Sequence, residues 1–490
     1  MQAEGNEGQP LINGANRKQS ALCTSTGCKI CLFTFSITAI VVGVLAICMS
    51  PGFVKGIIEK NFILRSNHSP GFLIWETTPI PLHMDIYFFN WTNPQDFKNP
   101  KIKPNFVEIG PYVFLEKRHK TNISFKENNT LISFNNVKTW FFEEDKSVGS
   151  LDDMIVGPNF ISSVFAHQTK NQNVVIKKGL NVILNRYGSI SKRTSVRKWL
   201  FDGYKDPLLK MGKMFHFTDM EKFAWFLNKN GSAEAEGNYT MKSGVGDETH
   251  MGELVSWNGQ NHTQDFPGEC GIVNGSTGDL WPLDMRIEKG ITIFAPDMGR
   301  FFNLETFEET KIMNIKGVAF MSDNNTLPGE KCFCMKNEIC KRGVTFAGGS
   351  KGDVPLYLSF PHFYSADESF SEAIEGMSPN ESEHRFTFIL EPHLGVPLKV
   401  NAPFQLSARF TPDKDYTLYK DIKDILIPVL WMRERGGVNE TLAGSVRVLL
   451  NINNLAFVVG WIMAAIGCIV LLMETTRYVI GWKKGYSRIV

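Results

Sequence analysis

Two long apolar runs bracket the chain. Ile30–Met49 and Ala456–Met473 contain no charged residue. Each is about the length a helix needs to cross roughly 30 Å of hydrocarbon. Between them the pattern is that of a folded globular body. Phe53–Leu64 has helical periodicity directly after the first run. Alternation of apolar and polar positions then predicts strands at Leu82–Phe89, Tyr112–Arg118, Thr121–Phe125 and Lys138–Phe142. From about Asp152 to Asn228 the period changes, and Met154–His167, Val174–Tyr187, Val196–Phe201 and Met220–Leu227 read as short helices. Strands resume at Gly290–Phe302, Lys311–Met321, Val354–Phe360, Arg385–Leu390 and Leu398–Phe410, and Asp421–Trp431 reads as a helix. Strand material on both sides of a helical insertion predicts one α+β domain whose two halves fold together.

Eleven N-x-Ser/Thr triplets begin at Asn67, Asn90, Asn122, Asn128, Asn230, Asn238, Asn261, Asn274, Asn324, Asn380 and Asn439, all between the apolar runs. Their position predicts a membrane hairpin with a glycosylated outer body. The expected division is a tail (1–29), a span (30–49), an ectodomain (50–455), a span (456–473) and a second tail (474–490). Arg17, Lys18 and Lys29 flank the first span, and Arg477, Lys483, Lys484 and Arg488 the second, which places both tails in the cytosol. A cleaved signal peptide is the other reading of the first run. Its length, and Ser50-Pro51-Gly52 after it, favour an uncleaved anchor.

Mean hydropathy of −0.13 is too low for a polytopic transporter, and 21% charged with 12% aromatic residues argues against disorder. Cys270, Cys332, Cys334 and Cys340 form an even set in the outer region. Of the three connectivities, spacing favours Cys270–Cys332 with Cys334–Cys340, because a Cys-x-Cys bridge fits disulfide geometry poorly. A zinc site is the alternative, but the paired Cys-x-x-Cys knuckles it needs are absent. Cys23 and Cys28 lie beside the first span, either palmitoylated or free thiols.

Net charge is +2 overall, yet the helical insertion is strongly basic, with Lys177, Lys178, Arg186, Lys192, Arg193, Arg197 and Lys198. Asp202 and Asp206 oppose them within Lys170–Lys213. Such a field attracts anionic ligands and weakens as salt rises; an ordinary solvated surface is the alternative. Nucleic acid is not an expected partner outside a cell. Glu7-Gly8-Gln9-Pro10-Leu11-Ile12 fits an acidic dileucine signal and Tyr486-Ser487-Arg488-Ile489 a tyrosine-based one, the kinds that clathrin adaptors read. Together they predict a protein that cycles between plasma membrane and endosomes or lysosomes. No zinc-protease or phosphate-loop motif is present, and Gly244-Val245-Gly246 lacks the context of a dinucleotide site. His362 and His393, each beside proline, read as hydrogen-bonded core histidines. Neither an enzyme nor a cofactor or metal dependence is expected.

An ordered series of segments carries a resemblance. It comprises Tyr87-Phe88-Phe89-Asn90-Trp91-Thr92-Asn93-Pro94, Glu108-Ile109-Gly110-Pro111-Tyr112, Gly203-Tyr204-Lys205-Asp206-Pro207, Trp257-Asn258-Gly259, Cys270 to Asp279, Phe360-Pro361-His362-Phe363-Tyr364 and Glu391-Pro392. In this order between two terminal spans, the chain resembles the class B scavenger receptor family. Asp202-Gly203-Tyr204 is similar to its invertebrate members. The resemblance implies a distorted antiparallel β-barrel core, an apical helical bundle that receives lipids or lipoproteins, and a hydrophobic tunnel towards the bilayer. It also implies self-association as one option, and binding-only recognition or lysosomal cargo transport as alternative roles. Arg186 stands where the fatty-acid translocase has an apical lysine, across a one-residue gap. Thr194 and Ser195 stand near the apical histidine of the lysosomal branch. Gly299 and Ser350 replace a third disulfide, which agrees with Cys270–Cys332 and Cys334–Cys340.

Overall fold

The computed structural model describes residues 26–215, 218–329, 333, 339, 341–347 and 354–486. They form two compact units: residues 26–57 with 448–486, and the described residues of 58–447.

The first unit is built on two long helices, α1 (Thr26–Phe62) and α8 (Glu440–Tyr486). Both are long and apolar enough to cross a membrane. They touch along small residues. A Cβ on Gly43 would stand 2.6 Å from the Gly460 carbonyl oxygen, and one on Gly467 2.7 Å from that of Ser36. Lipid tails offer no hydrophobic drive for pairing, so close backbone approach at glycine supplies the dispersion contact instead.

The second unit carries, in chain order, α2 (Pro70–Glu76), β1 (Leu82–Trp91), β2 (Phe106–Lys126), β3 (Leu131–Phe142), β4 (Met154–Pro158), α3 (Phe160–Gln168), α4 (Val174–Tyr187), β5 (Ser191–Ser195) and α5 (Pro207–Met214). These are followed by β6 (Asn238–Lys242), β7 (Leu254–Trp257), β8 (Ile291–Ala295), β9 (Arg300–Ile312), β10 (Ile315–Met321), β11 (Val344–Phe346) and β12 (Leu356–Ser359). The last are α6 (Glu368–Glu372), α7 (Glu381–His384), β13 (Thr387–Glu391), β14 (Val396–Phe410) and β15 (Ile425–Gly437). Thirteen strands make one antiparallel sheet in the order β7-β6-β3-β2-β1-β15-β14-β13-β10-β9-β8, with β12 and β11 branching from β14. The pairing of β1 with both β2 and β15 joins the two halves of the chain, as the α+β expectation requires. Among the described residues β7 does not pair with β8. Instead Gly275 and Ser276 bridge them, through Leu254 N to Gly275 O at 2.9 Å and Phe294 N to Ser276 O at 2.9 Å.

Three readings of the sequence are corrected. Asp421–Trp431 is not a helix; Ile425–Gly437 is a central strand. Met154–His167 divides into β4 and α3 at Pro158-Asn159, where the Asn159 side chain accepts from Ser162 N and caps the helix. Met220–Leu227 is bends and turns, while α5, opened by the Asp206 cap and Pro207, is the helix the periodicity missed.

Candidate functional site

The basic residues concentrate on the insertion, and their surroundings separate them. Helix α4 begins at Asn173, whose side chain accepts from Ile176 N. It buries Lys177, Leu180 and Leu184. Leu180 and Leu184 join a core that includes Phe160, Trp199, Tyr204, Leu208 and Phe223. Lys177 was expected to face ligand. It is only 7% exposed. Its Nζ lies 2.6 Å from Asp413 Oδ2 and 3.3 Å from Asp415 Oδ2, and 5.3 Å from the Tyr416 ring centre. Burial works against its charge, but the two carboxylates outweigh that and raise its pKa. Asn181, one turn on, donates to Thr417 Oγ1 at 3.1 Å and accepts from Thr417 N at 2.9 Å. The inner face of α4 is therefore clamped to the 413–417 loop, and Lys177 is a structural ion rather than a displayed one.

Two more of the seven are engaged. Lys192 Nζ stands 3.5 Å from Asp206 Oδ2 and 5.0 Å from the Tyr204 ring centre. Arg197 Nε reaches Asp152 Oδ1 at 3.4 Å, with both side chains well exposed; such a pair contributes little. Lys178, Arg186, Arg193 and Lys198 are exposed, and among the described residues none forms a salt bridge. Lys205 and Lys210 are likewise exposed.

The outward face of α4 is not purely polar. Val175 is 81% and Val182 69% exposed. With about 100° per residue they lie at the centre of the solvent side, opposite Leu180 and Leu184, with Lys178 and Arg186 on either flank. Gly179 sits between them with open space around it. This mixed apolar and cationic face was legible in the spacing of Val175, Lys178, Val182 and Arg186, but not its exposure.

The other expected positions fall as follows. Nine of the sequon asparagines are exposed; Asn90 and Asn238 are half-buried. Asn238 Nδ2 donates to Phe134 O at 3.2 Å and Asn135 Oδ1 at 3.1 Å, and its Oδ1 accepts from Ser133 Oγ at 2.8 Å. A glycan there would break this network. Glycopeptide mass spectrometry is therefore expected to find Asn238 unoccupied while Asn67, Asn128 and Asn380 carry sugar; full occupancy at Asn238 would contradict the reading. Cys270 is half of a disulfide, and Cys332, Cys334 and Cys340 lie outside the described residues, so the expected pairing is not resolved further. Cys28 is also disulfide-bonded in this structure. Cys23, Glu7, Leu11, Ile12 and Ile489 lie outside the described residues, and Tyr486 ends α8. His362 is a buried, hydrogen-bonded histidine, as expected. His393 is not: its side chain is 72% exposed, with Nδ1 3.1 Å from Asp284 Oδ1. Among the described residues no cluster of side chains has metal-binding geometry. A cleft of about 560 Å³, which no local pattern signals, is lined by Phe72, Ile123 and Phe125 with Ser66, Asn67, Glu76 and Asn129.

Comparison with known proteins adds a separate finding. Residues 33–478 match the model of the CD36 family. The chain is 34% identical to Protein peste of Drosophila melanogaster over 84% of its own length and 76% of that protein. It is 28% identical to scavenger receptor class B member 1 of Bos taurus, covering 91% of this chain and 88% of the relative. Human lysosome membrane protein 2 is 29% identical, with 84% and 86% covered.

Proposed function

Because the chain belongs to the CD36 family, we propose that it is a scavenger receptor that captures anionic lipid or lipoprotein on the outward face of α4. The family consists of receptors and transporters rather than enzymes, and two terminal apolar helices accompany that membership here. The observation that carries the reading is the display of Lys178 and Arg186 beside the exposed pair Val175 and Val182 on α4, with Arg193 and Lys198 exposed elsewhere on the same basic insertion and none of the four in a salt bridge among the described residues. A charged headgroup satisfies the cations, and the valines leave water against the acyl region below it. Arg186 suits the task, because a guanidinium binds carboxylate or phosphate through two parallel hydrogen bonds.

In the same reading the large sheet wraps into a distorted barrel, and hydrophobic cargo passes through it to the bilayer. An apolar conduit spares each methylene about 0.8 kcal/mol of exposure to water, so movement down a chemical-potential gradient needs no other energy source. Both tails are cytosolic, and the protein cycles between the plasma membrane and endosomes or lysosomes. The test is lipid mass spectrometry on the glycosylated full chain purified in detergent, followed by transfer of a fluorescent fatty acid from donor vesicles into vesicles that hold the protein. Co-purified acyl lipid and transfer faster than in protein-free vesicles are expected. Capture without either would leave a binding-only receptor and remove the conduit.

A further inference from the structure

Away from α4, two buried histidines are stacked face to face. The rings of His362 and His384 lie 4.7 Å apart with planes 12° from parallel, and each residue is 5% exposed. Their hydrogen bonds fix where the protons sit. Ser378 N donates to His362 Nδ1 at 3.0 Å, and Asn380 N donates to His384 Nδ1 at 3.0 Å. Both Nδ1 atoms are thus acceptors, so each neutral ring carries its proton on Nε2. His362 Nε2–H donates to Glu108 Oε2 at 2.7 Å, and Trp431 Nε1 donates to the same oxygen at 2.6 Å. Burial opposes the ionised form of Glu108, but these two hydrogen bonds outweigh it and hold its carboxyl below the usual range.

The two accepted N–H groups belong to one segment, residues 377–384, which ends in α7. Its entry is pinned independently of the histidines, by Glu375 N to Pro104 O at 2.9 Å and Phe106 N to Glu375 O at 3.1 Å. Its exit runs into β13. Arg433 of β15 holds Glu383 at 2.6 Å and Asp85 at 2.9 Å.

We propose that His384, stacked on His362, forms an acid-released latch on residues 377–384, closed while its imidazole is neutral and opened when it takes up a proton. A proton on His384 Nδ1 turns an acceptor into a donor that faces the Asn380 N–H. One hydrogen bond is lost and two donors are left opposed. The charged groups around His384 do not rescue it. His362 stacks on it, Arg433 approaches from β15, and Glu108 of β2 is already shared by His362 and Trp431. On its own element Glu381 pairs with Arg385 and Glu383 with Arg433. Burial and the neighbouring imidazole push His384 down to about 4. A histidine depressed in the folded state stabilises the fold above its ordinary pKa of about 6.5, and that contribution is lost as pH falls from there towards the folded value. The latch thus weakens across the range found between the cell surface and acidic organelles.

The experiment is hydrogen–deuterium exchange on the full chain in nanodiscs at pH 7.4 and pH 5.0, corrected for the intrinsic pH dependence of exchange. Peptides within 377–385 are expected to lose at least about tenfold protection in acid, while β14 keeps its own. His384→Asn places an amide oxygen where Nδ1 accepts and cannot titrate, so its segment is expected to stay protected at both pH values. Equal protection of the unaltered segment at the two pH values would overturn the proposal without any variant. An unchanged acid loss in His384→Asn would overturn it as well.

Discussion

Arg118→Met is expected to lower the stability of the ectodomain by about 3–5 kcal/mol, read as a fall in the denaturant midpoint at neutral pH. Arg118 lies on β2 with a side chain 15% exposed, and its guanidinium bridges Glu116, 2% exposed, and Glu434 of β15. Trp140 Nε1 donates to the other Glu116 oxygen at 2.7 Å. Around this pair Lys138 meets Glu236 at 2.5 Å, and Lys120, with no side-chain exposure, meets Asp279. Three cations therefore face four carboxylates across β2, β3 and β15. Methionine fills much of the volume but leaves buried Glu116 and half-buried Glu434 without their main counter-ion.

The pH dependence identifies the cause. Burial works against an ionised Glu116, and Arg118 and then Lys138 outweigh it, holding its carboxyl below the usual 4.5. A depressed carboxylate contributes stability above its ordinary pKa and loses it as pH falls through the folded value. The deficit of Arg118→Met should be greatest at neutral pH and shrink in acid, where Glu116 is protonated in both proteins. Adding Glu116→Leu should recover part of the loss. A deficit independent of pH would point to packing instead.

This network marks the limit of what the sequence discloses. The spans, the sequons and α4 are local patterns, and Val174–Tyr187 has the bounds its periodicity indicates. The strand β15 shows the opposite. Ile422, Ile425, Leu426, Val429 and Leu430 repeat at helical spacing, yet Ile425–Trp431 is buried without interruption. A strand covered on both faces has no alternation to reveal it. Pro428 was the available warning. It sits at the bulge where the register slips between Leu406 and Ser407 of β14, a place where a missing N–H is tolerated. Met220, Phe223, Ala224 and Leu227 misled in the same way: Phe223 packs on Phe160, and the turn is held by Trp225 N to Trp199 O at 2.9 Å and Phe226 N to Leu200 O at 2.8 Å. The site was readable by composition and not by pairing. Lys177 meets Asp413 across 236 residues, and His362 meets Glu108 across 254. No local rule anticipates which cation is neutralised, so Lys177 and Lys178, adjacent and chemically alike, acquire opposite roles only through the fold.

That difference gives the second large effect its control. Replacing Lys178, Arg186, Arg193 and Lys198 together by glutamine should weaken binding to phosphatidylserine vesicles by up to about a thousandfold at low salt. Each cation near an anionic surface contributes about 1 kcal/mol, and about 4 kcal/mol corresponds to that ratio. All four side chains are exposed, so the variant should unfold at the midpoint of the parent protein. The parent's affinity should fall as salt rises, because contacts of this kind are screened beyond about 10 Å at 0.1 M, and the variant's should not. Val175→Asn with Val182→Asn should weaken binding to the same degree at every salt concentration, since apolar contact is not screened in this way. Lys177→Met should do the reverse of the quadruple change. It removes the clamp between α4 and the 413–417 loop, so it costs stability and leaves vesicle affinity at the parent's value while the protein is folded. If the quadruple variant binds vesicles within about threefold of the parent at low salt, less than 1 kcal/mol separates them, and the outward face of α4 is not where anionic lipid is captured.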